Sequence, residues 1–218
     1  KVMSGPYLSE QDKADIIFGI QQGVDFVAAS FVSTAQDVID IRNLLDANGG
    51  NDIEIIAKIE NRAGVDNVEQ ICENCSGVMI ARGDLGVEIP AEKIPMIQKK
   101  IVQKCRARKK PVIVATQMLH SMIENPRPTR AEVTDVANAI FQSTDAIMLS
   151  GETASGKYPI EAVETMSAIA MEAEQTIDTR LEVNLEQVTK PIAAVLARSL
   201  VAATQEIPVK AIILDTWT

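Results

Sequence analysis

The pentad Ala57-Lys58-Ile59-Glu60-Asn61 closes an apolar run, Ile53–Glu60. On a strand, Lys58 and Glu60 project to the same side, about 6.6 Å apart. Charges beside an apolar run need a reason to persist. They form either a structural ion pair at a strand end or part of a site that uses both. Ala81-Arg82-Gly83-Asp84-Leu85-Gly86 supplies the next groups. Gly83 and Gly86 permit a tight turn whose backbone N–H groups can hold a carboxylate or phosphate. Asp84 adds a second carboxylate. Glu60 and Asp84, completed by water and substrate oxygens, suit Mg²⁺ or Mn²⁺ and do not suit structural zinc. Thr116 offers a hydroxyl that can bind substrate or pass a proton through water, and Ser150 and Glu152 offer a similar hydroxyl and carboxylate. A divalent cation, an anion-binding turn and a lysine beside the metal can move a phosphoryl group or stabilise an enolate. Spacing leaves both chemistries open.

Other chemistries are excluded by what the chain lacks. His120 is the one histidine among 218 residues, so no site can use two histidine ligands. A formal charge of −9 and 3% aromatic residues disfavour a nucleic-acid surface. No run of 18 apolar residues suggests a membrane span. Cys72 and Cys75 form a C-x-x-C, but Val68, Ile71, Cys72 and Cys75 follow the spacing of a buried helix face. Three cysteines then read as reduced thiols of a cytoplasmic protein. The basic stretch Lys99–Lys110 reads as a solvated helix end.

The elements that must position these groups alternate. Asp25–Phe31, Ile53–Glu60, Val78–Arg82, Pro111–Met118 and Ala146–Ser150 are short and nearly continuous in apolar character, as strands buried on both faces are. Helical patterns separate them. Ser9 with Asp12, Thr34 with Asp37 and Thr129 with Glu132 are capping boxes. Gly23 and Gly49-Gly50 are stops, and Pro159 opens a helix. Val133, Val136, Ala137, Ile140 and Phe141 form one apolar face. Strand–helix repetition means a parallel sheet, in an open doubly wound form or a (β/α)₈ TIM-barrel form. The second to fifth runs all turn polar at their C-terminal ends, which favours the barrel over an open sheet with one switch point. Five βα units make only part of a barrel of about 250 residues. The expected organisation is a partial barrel over 1–176, a linker over 177–188, and the start of a C-terminal α/β domain over 189–218. That last part comprises a helix at Thr189–Thr204 and a strand at Val209–Asp215.

Five longer motifs occur in order: AKIEN at 57–61, MIARGDLGVEIPAEKI at 79–94, VIVATQML at 112–119, NPRPTRAEVTDVANAI at 125–140 and IMLSGETASGKYPIEAV at 147–163. Together they closely resemble the pyruvate kinase family, from Leu8 onward. The resemblance implies phosphoryl transfer from phosphoenolpyruvate to ADP, giving pyruvate and ATP in glycolysis. It implies that Lys58 neutralises the phosphoryl group in flight and stabilises the enolate. Glu60 and Asp84 would be the ligands of Mg²⁺ or Mn²⁺, and Gly83 and Asp84 would hold the substrate carboxylate. Thr116 would contact substrate near the carbon that is protonated, and Ser150 and Glu152 would belong to a proton relay. A homotetramer is implied for the full-length parent. Two positions depart from the family's pattern: Ala63 where an acidic or amide side chain is usual, and His120 where glutamate is usual. Tuned contacts are expected from both.

The same resemblance places the substrate arginine, the K⁺ ligands and the lid domain on regions that this chain does not contain. Two alternatives stand beside it: another metal-dependent enolate-forming barrel enzyme, of the aldolase or phosphoenolpyruvate mutase type, and a non-catalytic fragment. The expected behaviour of the purified 218-residue segment is little or no turnover. A coupled assay with phosphoenolpyruvate, ADP, Mg²⁺ and K⁺ checks this, and measurable turnover would refute it.

Overall fold

The computed structural model describes residues 6–177 and 191–207. Two compact units divide the chain, Lys1–Gln175 and Thr176–Thr218. The first unit begins with helix α1 (Glu10–Gln21), then strand β1 (Phe26–Ala29), α2 (Ala35–Ala47) and β2 (Glu54–Ile59). Two short helices, α3 (Arg62–Asp66) and α4 (Val68–Asn74), lead to β3 (Gly77–Ala81). Next come α5 (Arg82–Glu88), α6 (Ile94–Ala107), β4 (Val112–Ala115), α7 (Arg130–Phe141) and β5 (Ala146–Met148). Helices α8 (Gly151–Ala154) and α9 (Pro159–Glu174) complete the unit.

The three capping boxes form as expected. Ser9, Thr34 and Thr129 each accept the amide three residues on, and Asp12, Asp37 and Glu132 reach back to the cap backbone. Gly23 and Gly49, at φ +71° and +82°, carry the chain out of α1 and α2 in the left-handed region that glycine adopts without a Cβ clash. Pro159 starts α9, where its missing N–H costs nothing.

Among the described residues, the five strands are all parallel and pair in chain order, β1-β2-β3-β4-β5. Four lie inside their expected runs and are shorter than them, and β3 has the expected length but begins one residue earlier, at Gly77. Right-handed crossovers without a reversal of order put the connecting helices on one face. A doubly wound sheet would reverse its order. The sheet is therefore a partial barrel wall. The register aligns Ala57 with Val78, Ile80 with Val114 and Val78 with Val112. With Ile55 and Ile59 these residues are fully buried in one cluster, with Val38, Ile41 and Leu45 of α2, Ile71 and Cys72 of α4, Ile101 and Cys105 of α6 and Val136 of α7.

The other face departs from the expected two-sided burial. Ala28, Ile56 and Gly77 share it, as do Lys58, Met79 and Ile113. Only β3 is buried along its whole length. On the flanking strands Phe26, Ala28, Glu54 and Ala146 of this face are exposed. This is the side that a closed barrel fills with layered side chains.

Three local expectations change. Gly83 and Asp84 belong to the first turn of a helix, not to a tight glycine turn. Phe141 is 54% exposed, and Ala139 takes the buried place beside Val136 and Ile140. The basic stretch is partly paired, since Lys104 and Arg108 both bridge to Glu69 on α4. In the second unit, α10 (Pro191–Glu206) lies where a helix is expected. All but the first residue of the linker expected at 177–188, and the strand at Val209–Asp215, lie outside the described residues.

Glu132 does more than cap α7. It accepts the Ser121 amide and hydroxyl at 2.7 and 2.6 Å and the Thr129 amide at 2.7 Å, tying the loop after β4 to α7. Partial burial pushes its pKa up, but the hydrogen bonds from Ser121 and Thr129 outweigh this and hold it below the ordinary 4.5. A carboxyl with a lowered folded-state pKa contributes stability above its unfolded pKa and loses it as pH falls. Urea unfolding from pH 7 down to pH 3 should show Glu132→Gln converging on wild type in acid and less stable than it at neutral pH.

Candidate functional site

The C-terminal strand ends bring the expected groups to one rim. Lys58 lies on the open face of β2, beside Met79 in register. Its Nζ donates to Ser30 Oγ at 2.9 Å and lies 2.9 Å from Glu60 Oε1. Glu60 is 2% exposed, and its other oxygen, Oε2, accepts the Phe31 amide at 2.6 Å. The ion pair foreseen as the bland alternative therefore exists, but it is part of a larger arrangement. Glu60 holds the lysine with one oxygen and the chain after β1 with the other.

That chain is held from several sides. Phe31 has φ +54°, a left-handed conformation uncommon for a bulky residue. Asn61 caps α3 by accepting the Gly64 amide at 2.7 Å, while its Nδ2 donates to Ser33 Oγ at 3.0 Å. Asn67 donates to the Ser33 carbonyl at 2.9 Å, and the Tyr7 hydroxyl donates to the Ser30 carbonyl at 2.7 Å. Burial, with the carboxylates of Asp37, Glu60 and Asp12, pushes the Tyr7 phenol well above its ordinary pKa, so it remains a donor. Helix α3 approaches so closely that a Cβ on Gly64 would sit 2.5 Å from the Val32 carbonyl oxygen.

After β3 the backbone turns directly into α5. Asp84 is exposed and makes no hydrogen bond or ion pair with the described residues. The Gly83 amide donates to Thr116 Oγ1 at 2.6 Å. Thr116 and Gln117, following β4, have φ +69° and +53°. Glu152, 2% exposed in α8, accepts the Leu119 amide at 3.2 Å and the Ser150 amide at 2.8 Å. It thus ties the chain after β4 to the chain after β5.

The geometry bears on cation binding. No cluster of three or more His, Cys, Asp or Glu side chains suited to a metal occurs among the described residues. A carboxylate has about four lone-pair positions, and Glu60 commits two, to Lys58 and Phe31. Two remain on Glu60, and Asp84 is unengaged. Two hard oxygen donors with the rest of the shell left to other oxygens suit Mg²⁺.

A family model described as pyruvate kinase, barrel domain, matches residues 2–163. The pyruvate kinases of Bacillus licheniformis and Clostridium acetobutylicum are 54% and 52% identical over 213 and 215 residues. The chain belongs to the pyruvate kinase family. These alignments cover 97% and 98% of this chain but 36% and 46% of the relatives. The pyruvate kinase of Dictyostelium discoideum is 51% identical over 225 residues, covering 100% of this chain and 44% of its own length. The chain thus spans less than half the length of these pyruvate kinases, and its parallel wall is part of the family's barrel domain. No helix among the described residues is long and apolar enough to cross a membrane.

Two positions at the rim lay outside the expectation. Ser30 puts a polar side chain next to the end of the first run, Asp25–Phe31, as the C-terminal ends of the other four runs do. Arg82, 9% exposed, packs behind Thr116, with its NH2 2.8 Å from the Thr116 carbonyl oxygen and its NH1 2.6 Å from Asp135 Oδ2. Asp135 lies 53 residues away in sequence, and no local pattern links the two.

Removing the Glu152 carboxylate leaves two backbone amides without their acceptor. Each buried amide left unpaired costs about 1–3 kcal/mol. Glu152→Ala in the full-length protein should lower unfolding stability by about 2–6 kcal/mol on this basis, as read from the urea midpoint.

Proposed function

We propose that this chain, within a longer protein, carries much of the phosphoenolpyruvate side of a site that transfers a phosphoryl group to ADP, giving pyruvate and ATP. The observation that carries the reading is the placement of the Lys58 ammonium between Ser30 and a buried Glu60 carboxylate, on the same rim as the unengaged Asp84. A fixed cation at a partly enclosed strand end is suited to offset the charge that develops as a phosphoryl group leaves an enolate oxygen.

Each residue then has a role. Glu60 and Asp84 hold Mg²⁺ or Mn²⁺, which when bound supplies charge neutralisation for the transferring group and the substrate oxygens. Lys58 balances the phosphoryl group and then the enolate. Backbone N–H groups at Gly83 and Asp84 receive the substrate carboxylate. The Gly83 amide already donates to Thr116 Oγ1, so a carboxylate arriving there exchanges one acceptor for another and frees the hydroxyl toward substrate. Thr116 then serves the carbon that is protonated. In the relay Ser150 carries the hydroxyl. Glu152, with both oxygens on backbone amides, fixes Ser150 and the chain at Leu119. K⁺ and the remaining phosphate contacts come from parts of the protein outside this chain.

The surroundings of the site follow the same reading. Residues 1–176 form part of the catalytic barrel, 177–188 a linker and 189–218 the start of a C-terminal α/β domain. The full-length protein is a cytoplasmic homotetramer with no nucleic-acid or membrane partner. The free thiols of Cys72, Cys75 and Cys105 support a reducing compartment.

The test uses the full-length protein with phosphoenolpyruvate, Mg²⁺ and K⁺. Pyruvate should form only when ADP is supplied, and Lys58→Met should lower kcat about a hundred- to a thousandfold, the cost of one electrostatic contact to the transition state. Pyruvate formed equally well without ADP would mean that water accepts the phosphoryl group, and consumption of phosphoenolpyruvate without any pyruvate would instead support a mutase type of chemistry. Full activity in Lys58→Met would overturn the assignment.

A further inference from the structure

The backbone at Thr116 is unusual. Thr116 and Gln117 both lie in the left-handed region, where neither a β-branched residue nor glutamine settles unaided. Such conformations persist only where the surroundings over-determine them. The surroundings here come from two consecutive residues. The Gly83 amide holds the Thr116 hydroxyl at 2.6 Å. The Arg82 guanidinium holds the Thr116 carbonyl, with NH2 at 2.8 Å and Nε at 3.3 Å. One threonine is thus gripped at its side chain and at its backbone from the first turn of α5.

Arg82 is in turn held in place. Its NH1 lies 2.7 and 2.6 Å from the two Asp135 oxygens on α7, and its NH2 approaches Met118 Sδ at 2.9 Å. Gln98 on α6 is the remaining polar neighbour, at 3.5 Å from NH1. A planar guanidinium can bond a carbonyl with one edge and a carboxylate with another at fixed separation. A lysine ammonium, a single point charge, cannot keep both.

We propose that Arg82, anchored by Asp135, is a positioning residue that sets the Thr116 hydroxyl for the reaction. The inference rests on the phosphoryl-transfer reading above, since it assumes that this hydroxyl serves substrate. Arg82 itself does not touch the reacting atoms. It acts through the Thr116 carbonyl, and without it the 116–117 backbone relaxes and the hydroxyl turns from its place beside Gly83. A purely structural role, an ion pair tying α5 to α7, is the competing account.

The two accounts differ in a double-mutant cycle on the full-length enzyme. Arg82→Lys should lower kcat about ten- to a hundredfold, the scale of a small misplacement of a reacting group, with KM for phosphoenolpyruvate changed much less. In a Thr116→Ala background the hydroxyl is gone, so adding Arg82→Lys should change kcat by no more than about twofold, the usual limit of additivity. Asp135→Asn removes only the anchor. It should show a smaller loss of kcat that also vanishes in the Thr116→Ala background, and it provides the test if Arg82→Lys does not fold. Losses that multiply in the double variants, or an unchanged kcat in both single variants with a lowered Tm, overturn the inference. Wild-type enzyme that forms no pyruvate from phosphoenolpyruvate and ADP overturns the functional reading and this inference with it. Normal wild-type turnover with multiplying losses overturns this inference alone.

Discussion

Parallel pairing in chain order forces every strand of this sheet to deliver its last residue to the same rim. The strands are three to six residues long, each is joined to its neighbour by a single crossover, and right-handed crossovers leave the helices on one side. Groups far apart in the chain, such as Lys58, Asp84, Thr116 and Ser150, come to one rim without any long-range recognition between them. The helices hold the opposite face dry. Ile55, Ala57, Ile59, Val78, Ile80, Val112 and Val114 form a continuous buried layer against α2, α4, α6 and α7. The rim can then carry charge because the layer beneath it does not.

The rim tolerates that charge through backbone contacts. Glu60, Arg82 and Glu152 are almost wholly buried, and an isolated charge at such depth is untenable. Each has at least one main-chain partner: the Phe31 amide, the Thr116 carbonyl, and the Leu119 and Ser150 amides. Glu60, Arg82 and Glu152 each thereby join the end of one strand to the chain after another. The polar groups are therefore spacers as well as candidate chemistry, and the left-handed residues Phe31 and Thr116 sit directly beside them. Strain of this kind persists where several partners fix it at once.

The layer behind the sheet shows a similar economy. Helices α4 and α6 meet through Cys72 and Cys105, whose sulfurs lie 3.2 Å apart at full burial. Burial and the neighbouring Cys72 thiol push the Cys75 pKa up to about 11, in keeping with a packing role for Cys75. On the surface above them Glu69 pairs with Lys104 and Arg108, and hydrogen bonds and charge from these two hold its carboxyl below the ordinary range. Partly exposed pairs of this kind contribute little stability. They set where the basic end of α6 points.

The amino-acid sequence by itself determined the elements and the groups. Period and capping residues are local, so the five strand runs, the three capping boxes and the stops at Gly23 and Gly49 were legible, as were Lys58, Glu60, Asp84 and Thr116 at strand ends. Family membership followed from motif order. The tertiary structure alone decided how those groups are held. That Glu60 grips the Phe31 amide, that Gly83 and Arg82 take the two ends of Thr116, and that Asp135 anchors Arg82 depend on contacts across 29 to 53 residues. No propensity or spacing encodes a partner at that distance. The left-handed backbone at Thr116 and Gln117 was equally hidden, because neither residue favours it and only the surrounding bonds impose it. Burial was legible for the face that the helices cover, because alternation along one strand reports it. The exposure of the opposite face was not, since it depends on what lies across the sheet rather than on what lies along the strand.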